Sequence, residues 1–101
     1  MDNKIEKLKK FSDPMEAQKK AYKYLGKDAD LYVSMKPDKK YEIFDPFKNV
    51  WVSFGQIGYE DFTKHKDKER RQRYLDRATN IEGDWSNNPY SANNLSIHIL
   101  W

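Results

Sequence analysis

The spacing of apolar positions changes period three times along the chain. Ile5, Leu8 and Phe11 recur every third residue within a lysine-rich start, a narrow stripe that predicts a short helix over 2–11, formed only on docking. Asp13-Pro14-Met15-Glu16 is a stronger signal. Asp13 suits an N-cap, Pro14 the first turn, and Glu16 the reciprocal half of a capping box. Ala17, Ala21, Tyr24 and Leu25 then share one face, and Gly26 stops the segment. The prediction is a helix over 14–25.

From 30 to 54 the period falls to two. Leu31, Val33 and Met35, then Ile43, then Val50, Val52 and Phe54 alternate with other residues, a set expected to pack against helix 14–25. Pro37-Asp38 and Asp45-Pro46 mark turns, so three strands form an antiparallel meander that Gly55 and Gly58 end. Residues 59–66 read as a loop. Arg71, Tyr74, Leu75 and Ala78 return to helical spacing, predicting a helix over 67–79 capped by Asp67. Residues 80–90 carry loop chemistry around Trp85. The tail fits two patterns, a helix capped by Ser91 or a strand alternating Leu95, Ile97, Ile99 and Trp101; the helix is favoured. The expected fold is a small single α+β domain over 13–101, preceded by a lysine-rich arm over 1–12.

Composition narrows the class. With 101 residues, 38% hydrophobic and 15% aromatic, the chain suits one globular domain rather than a disordered tail. No apolar run approaches the roughly 18 residues of a membrane span, and the start lacks the apolar core of a secretory leader. Without cysteine there is no disulfide, thiol nucleophile or thiolate metal site. Two histidines cannot alone close a zinc site. The net charge of +3 hides a segregation, because residues 64–77 hold seven Lys and Arg against three acids, with all four arginines among them.

Four constellations carry candidate chemistry. Lys66, Arg70, Arg73 and Arg77 share a face if the helix begins by Lys66, and such a stripe can track phosphates or an acidic partner. The plainer reading is a solvated face with internal pairs, Asp67–Arg71, Glu69–Arg73 and Arg73–Asp76. Tyr32, Phe44 and Trp51, one ring per strand, form either a stacking platform for unpaired bases, an interface, or a second core layer. Helices before and after the small sheet favour their being covered. Asp61, His65 and Asp67 include metal-ligand and acid–base residue types. Capping and loop-bracing account for them more simply, and no catalytic residue, metal or cofactor is assigned. Arg71, beside Tyr74, Trp85 and Trp101, is expected to pin loop and tail to the helix, pairing with a carboxylate such as Asp61. His98 is expected to be a packing or solvent residue.

Several unusual elements occur in order after Phe54. They are Tyr59-Glu60-Asp61-Phe62-Thr63, His65-Lys66-Asp67, Arg70-Arg71, Tyr74-Leu75, Trp85, Asn88-Pro89-Tyr90-Ser91, Asn93-Asn94-Leu95-Ser96 and Leu100-Trp101. With Lys39 to Pro46, this order resembles a family of short uncharacterised proteins of large nucleocytoplasmic DNA viruses, mimivirus-like and phycodnavirus-like groups included, over about residues 39–101. The resemblance implies a viral origin and a place in the virion or in the host cytoplasm at the virus factory. It implies no activity. The expected function is a non-enzymatic viral protein acting through contacts with other viral proteins, a minor virion or assembly component. The alternative is a nucleic-acid-binding protein using the basic helix 64–77. No membrane partner is expected.

Overall fold

The computed structural model describes residues 3–101; Met1 and Asp2, the first residues of the expected arm, lie outside the described residues. In chain order the elements are α1 (Asn3–Lys9), α2 (Pro14–Leu25), β1 (Tyr32–Val33), β2 (Lys39–Asp45), β3 (Val50–Gln56), α3 (Phe62–His65) and α4 (Lys68–Thr79). A 3-10 turn over Asp84–Asn87 leads to α5 (Ala92–Leu95), which continues as a π-helical turn over Ser96–Leu100. The architecture is the small α+β domain expected, with an antiparallel sheet in the order β1-β2-β3.

Helix α2 begins and ends where its residues require. The Asp13 carboxylate accepts the N–H groups of Met15 and Glu16, and Gly26 ends the helix at φ 107°. The capping box is not closed by Glu16, however. The Asp13 N–H donates to Thr63 Oγ1 at 2.9 Å, while Glu16 reaches Lys19. A residue fifty positions away takes the role that local spacing assigned to Glu16, and so ties the start of α2 to α3.

The sheet register pairs Tyr41 with Phe54, Ile43 with Val52 and Phe44 with Trp51. Strand alternation therefore turns Tyr41, Ile43 and Phe54 inward, against Ala17 and Ala21 of α2 and Leu95, Ile99 and Leu100 of the C-terminal helix. The small alanines let α2 approach the C-terminal helical turn over Ser96–Leu100 closely. Two expected core positions lie outside instead. Met35 is 87% exposed because β1 ends at Val33, and Val50 is exposed at the start of β3. Leu8 and Ser12, from the lysine-rich segment, are buried in this body.

The tail is helical. The Ser91 hydroxyl accepts the Asn94 N–H, and Trp101 N–H bonds Ser96 C=O at 3.1 Å, five residues back. Two segments expected to be loops contain short helices. The 59–66 segment holds α3, capped by Asp61, and the 80–90 segment holds the 3-10 turn.

Candidate functional site

The spacing of Arg70, Arg73, Tyr74 and Arg77 places all four on one face of α4. That face looks into an open cleft of about 570 Å³. Lys39, Lys40 and Gly55 at one end of β2 and β3 form its floor, and Asn93, Ser96, Leu100 and Trp101 line the far wall. Four exposed or half-exposed cationic residues, Lys39, Arg70, Arg73 and Arg77, thus line one cavity with Glu60, while the Lys40 ammonium is turned away to Asp61 and sealed from solvent. Arg70 is engaged by Glu60 at 3.2 Å. The side chains of Arg73, Arg77 and Lys39 make no hydrogen bond or ion pair among the described residues.

Lys66 does not join this face. It ends α3 in the left-handed conformation, φ 58°, and α4 starts two residues later. The stripe of four is therefore three arginines. The internal pairs expected along α4 are replaced by other contacts. Asp67 caps the helix through the N–H groups of Glu69 and Arg70, which hold its carboxyl below the usual range, and Asp76 accepts from Gln72.

The Asp61, His65 and Asp67 side chains do not converge on a site. Asp61 is fully buried and pairs with Lys40, Oδ2 to Nζ at 3.0 Å, while its other oxygen accepts the Thr63 N–H and hydroxyl. His65 Nδ1 accepts the Asp67 N–H at 2.9 Å, and Asp67 is committed to its helix. The expected Arg71–Asp61 pair is likewise absent among the described residues. Arg71 lies over the Phe62 ring at 5.4 Å and donates from Nε to the Trp101 carbonyl at 2.7 Å. That contact fixes the wall of the cleft, because Trp101 stacks on Tyr74 with centroids 4.2 Å apart and planes 9° apart. Trp85 anchors a different segment, donating to Ile81 C=O, and His98 stacks on Tyr24.

Lys40 was not distinguishable from a surface lysine by spacing. It is buried beneath the 59–61 loop and also donates to Tyr59 C=O at 2.7 Å. Burial pulls its ammonium below the ordinary lysine value, and the Asp61 carboxylate opposes that pull.

The three aromatic residues come together, and they are not covered. Tyr32, Phe44 and Trp51 are 52%, 38% and 54% exposed. Trp51 stands centrally, edge-on to Tyr32 and to Phe44, each at 5.5 Å between centroids. The flanking helices leave all three rings open to solvent, so the expected second core layer does not form.

Fold and site together describe a small α+β domain carrying a cationic cleft and an exposed aromatic cluster. Residues 29–78 match the model of a family of unknown function (DUF5754), a span that includes the aromatic trio and all three cleft arginines. No curated protein and no solved structure matches the chain. Among the described residues, no helix is long and apolar enough to cross a membrane.

Proposed function

We propose that this is a non-enzymatic nucleic-acid-binding protein, with the cleft face of α4 as its phosphate contact. The observation that carries the reading is the pair Arg73 and Arg77, which share a cleft with Lys39 and have no acceptor of their own among the described residues. Guanidinium groups offer paired N–H donors to phosphate oxygens, so an anionic ligand completes the arrangement. In the viral setting that the resemblance implies, the ligand is viral nucleic acid in the virion or the virus factory. The test is titration of labelled nucleic acid at about 50 mM salt and upward. Binding that weakens with salt, and is lost in the Arg70→Ala/Arg73→Ala/Arg77→Ala variant, is expected; no binding at low salt would sink the reading.

A second reading, contact with other viral proteins in a minor virion or assembly component, is favoured by the exposed Trp51 cluster. Large rings at the centre of a patch are the residue types that dominate protein interfaces. Under that reading, Trp51→Ala lowers recovery of the protein in purified particles while nucleic-acid affinity is unchanged.

A further inference from the structure

We infer, building on the nucleic-acid reading, that the ligand is a single strand. It lies along one face of the sheet, phosphates in the arginine cleft and bases on Tyr32, Phe44 and Trp51. Both features belong to the same face. Alternation along β2 sets Lys40, Glu42 and Phe44 on one side, and the register sets Ser53 opposite Glu42 and Trp51 opposite Phe44. A Cβ on Gly55 would lie 3.1 Å from that of Lys40, which brings the cleft floor to the same side. Tyr32 sits opposite Glu42 on β1, and the Ser34 and Ser53 hydroxyls meet at 2.7 Å across that face.

The distance suits a short strand. Phe44 lies four positions beyond Lys40, roughly 13 Å at about 3.3 Å per residue. Single-strand sites on small sheets cover about four nucleotides or more, so one ligand spans both ends. The two ends offer complementary chemistry. Arg73 and Arg77 have free donors for phosphate oxygens, whereas the rings offer edge and face area to unstacked bases. Glu42 lies between them, and its Oε1 is engaged by the Met35 N–H at 2.9 Å. A duplex keeps its bases stacked on one another and leaves the rings unused. A cavity of about 570 Å³ admits a nucleotide-sized group and not a double helix.

The experiment is fluorescence anisotropy of the full chain with a labelled strand of about 12 nucleotides and with the matching duplex, at about 50 mM NaCl. The strand is expected to bind about tenfold tighter or more. Trp51→Ala should weaken strand binding at least fivefold and Trp51→Phe should restore most of it, since any flat ring supports stacking. The Arg73→Ala/Arg77→Ala pair should lower the salt slope by about 1.4, at about 0.7 for each lost single-strand contact. Thermal melts confirm folding of these surface variants. A strand preference below tenfold overturns the single-strand assignment while leaving the nucleic-acid reading standing. Unchanged affinity in Trp51→Ala overturns the path over the sheet. Absence of binding to both ligands overturns the two readings together.

Discussion

The Lys40 ammonium and the Asp61 carboxylate lie 3.0 Å apart with both side chains sealed from solvent. The pair sits in a continuous polar seam. Asp61 N–H bonds Phe11 C=O, the Thr63 hydroxyl meets that of Ser12 at 3.2 Å, and Ser12 meets Tyr41 at 2.7 Å. Three distant segments, 11–13, 40–41 and 59–63, are therefore joined by hydrogen bonds rather than apolar area alone. This seam holds the cleft floor.

Removing one partner leaves a buried charge without compensation, which costs about 3–5 kcal/mol. Asp61→Ala is expected to lower stability by that amount in urea unfolding, with Tm down by about 15 °C or more for a chain of this size. The Lys40→Met/Asp61→Asn double variant should recover over half of the loss, because neither charge is then stranded. A loss under about 1 kcal/mol in Asp61→Ala would show that water reaches Lys40 and that the seam is not closed.

Gly55 answers to two constraints at once. Its φ is +81°, and a Cβ there would stand 2.8 Å from Leu100 Cδ1 and 3.1 Å from Lys40 Cβ. Gly58 has φ +107° with nothing within 4 Å of the corresponding position. Gly55→Ala should therefore destabilise by clearly more than the roughly 1–2 kcal/mol that the left-handed conformation alone costs. Gly58→Ala should stay near that value. Equal losses in parallel denaturant curves would mean that Leu100 and Lys40 move aside without cost.

The wall of the cleft depends on Trp101, which Tyr74 stacks against and Arg71 holds by its carbonyl. Trp101→Ala should cost about 2 kcal/mol, below the value for a fully buried Trp because this ring is half-buried. It should also weaken nucleic-acid binding several-fold, because Tyr74 and the adjacent arginines lose their backing. The check is calorimetry alongside the anisotropy titration. Full affinity in a destabilised variant would separate the wall from the site.

What was legible in the chain is what local rules control. Asp13, Pro14 and Gly26 delimit α2, Asp67 caps α4, and the period-two runs with their proline turns place the meander. Burial that depends on distant partners was not legible. Lys40 alternates like a surface lysine, and nothing local shows that Asp61 waits twenty-one residues on. The cleft arginines could be placed on one helix face by spacing, but Lys66 could not be removed from that face without knowing that α3 ends in a left-handed turn. The exposed rings went against expectation for a similar reason. Whether a sheet face is covered depends on where the later helices cross it, and those helices leave Tyr32, Phe44 and Trp51 exposed.

Stability should also respond to mild acid through His65 and His98. Partial burial is the main cause that lowers both from the ordinary value near 6.5, with Arg70 adding to it at His65 and Lys20 at His98. His98 contributes the less, because its position is exposed apart from its stack on Tyr24. The His65 contact gives the same direction. Its Nδ1 accepts the Asp67 N–H, a role that protonation at Nδ1 abolishes. Below the unfolded value the unfolded chain binds more protons than the folded one, so stability rises with pH across this window and is lost on acidification. Tm should be flat from about pH 8 to 7 and fall from about pH 6.5 toward 5, before the carboxylates titrate. His65→Phe/His98→Phe should flatten the fall while shifting the plateau only by its own packing effect. An unchanged slope in that double variant would assign the acid response to other groups.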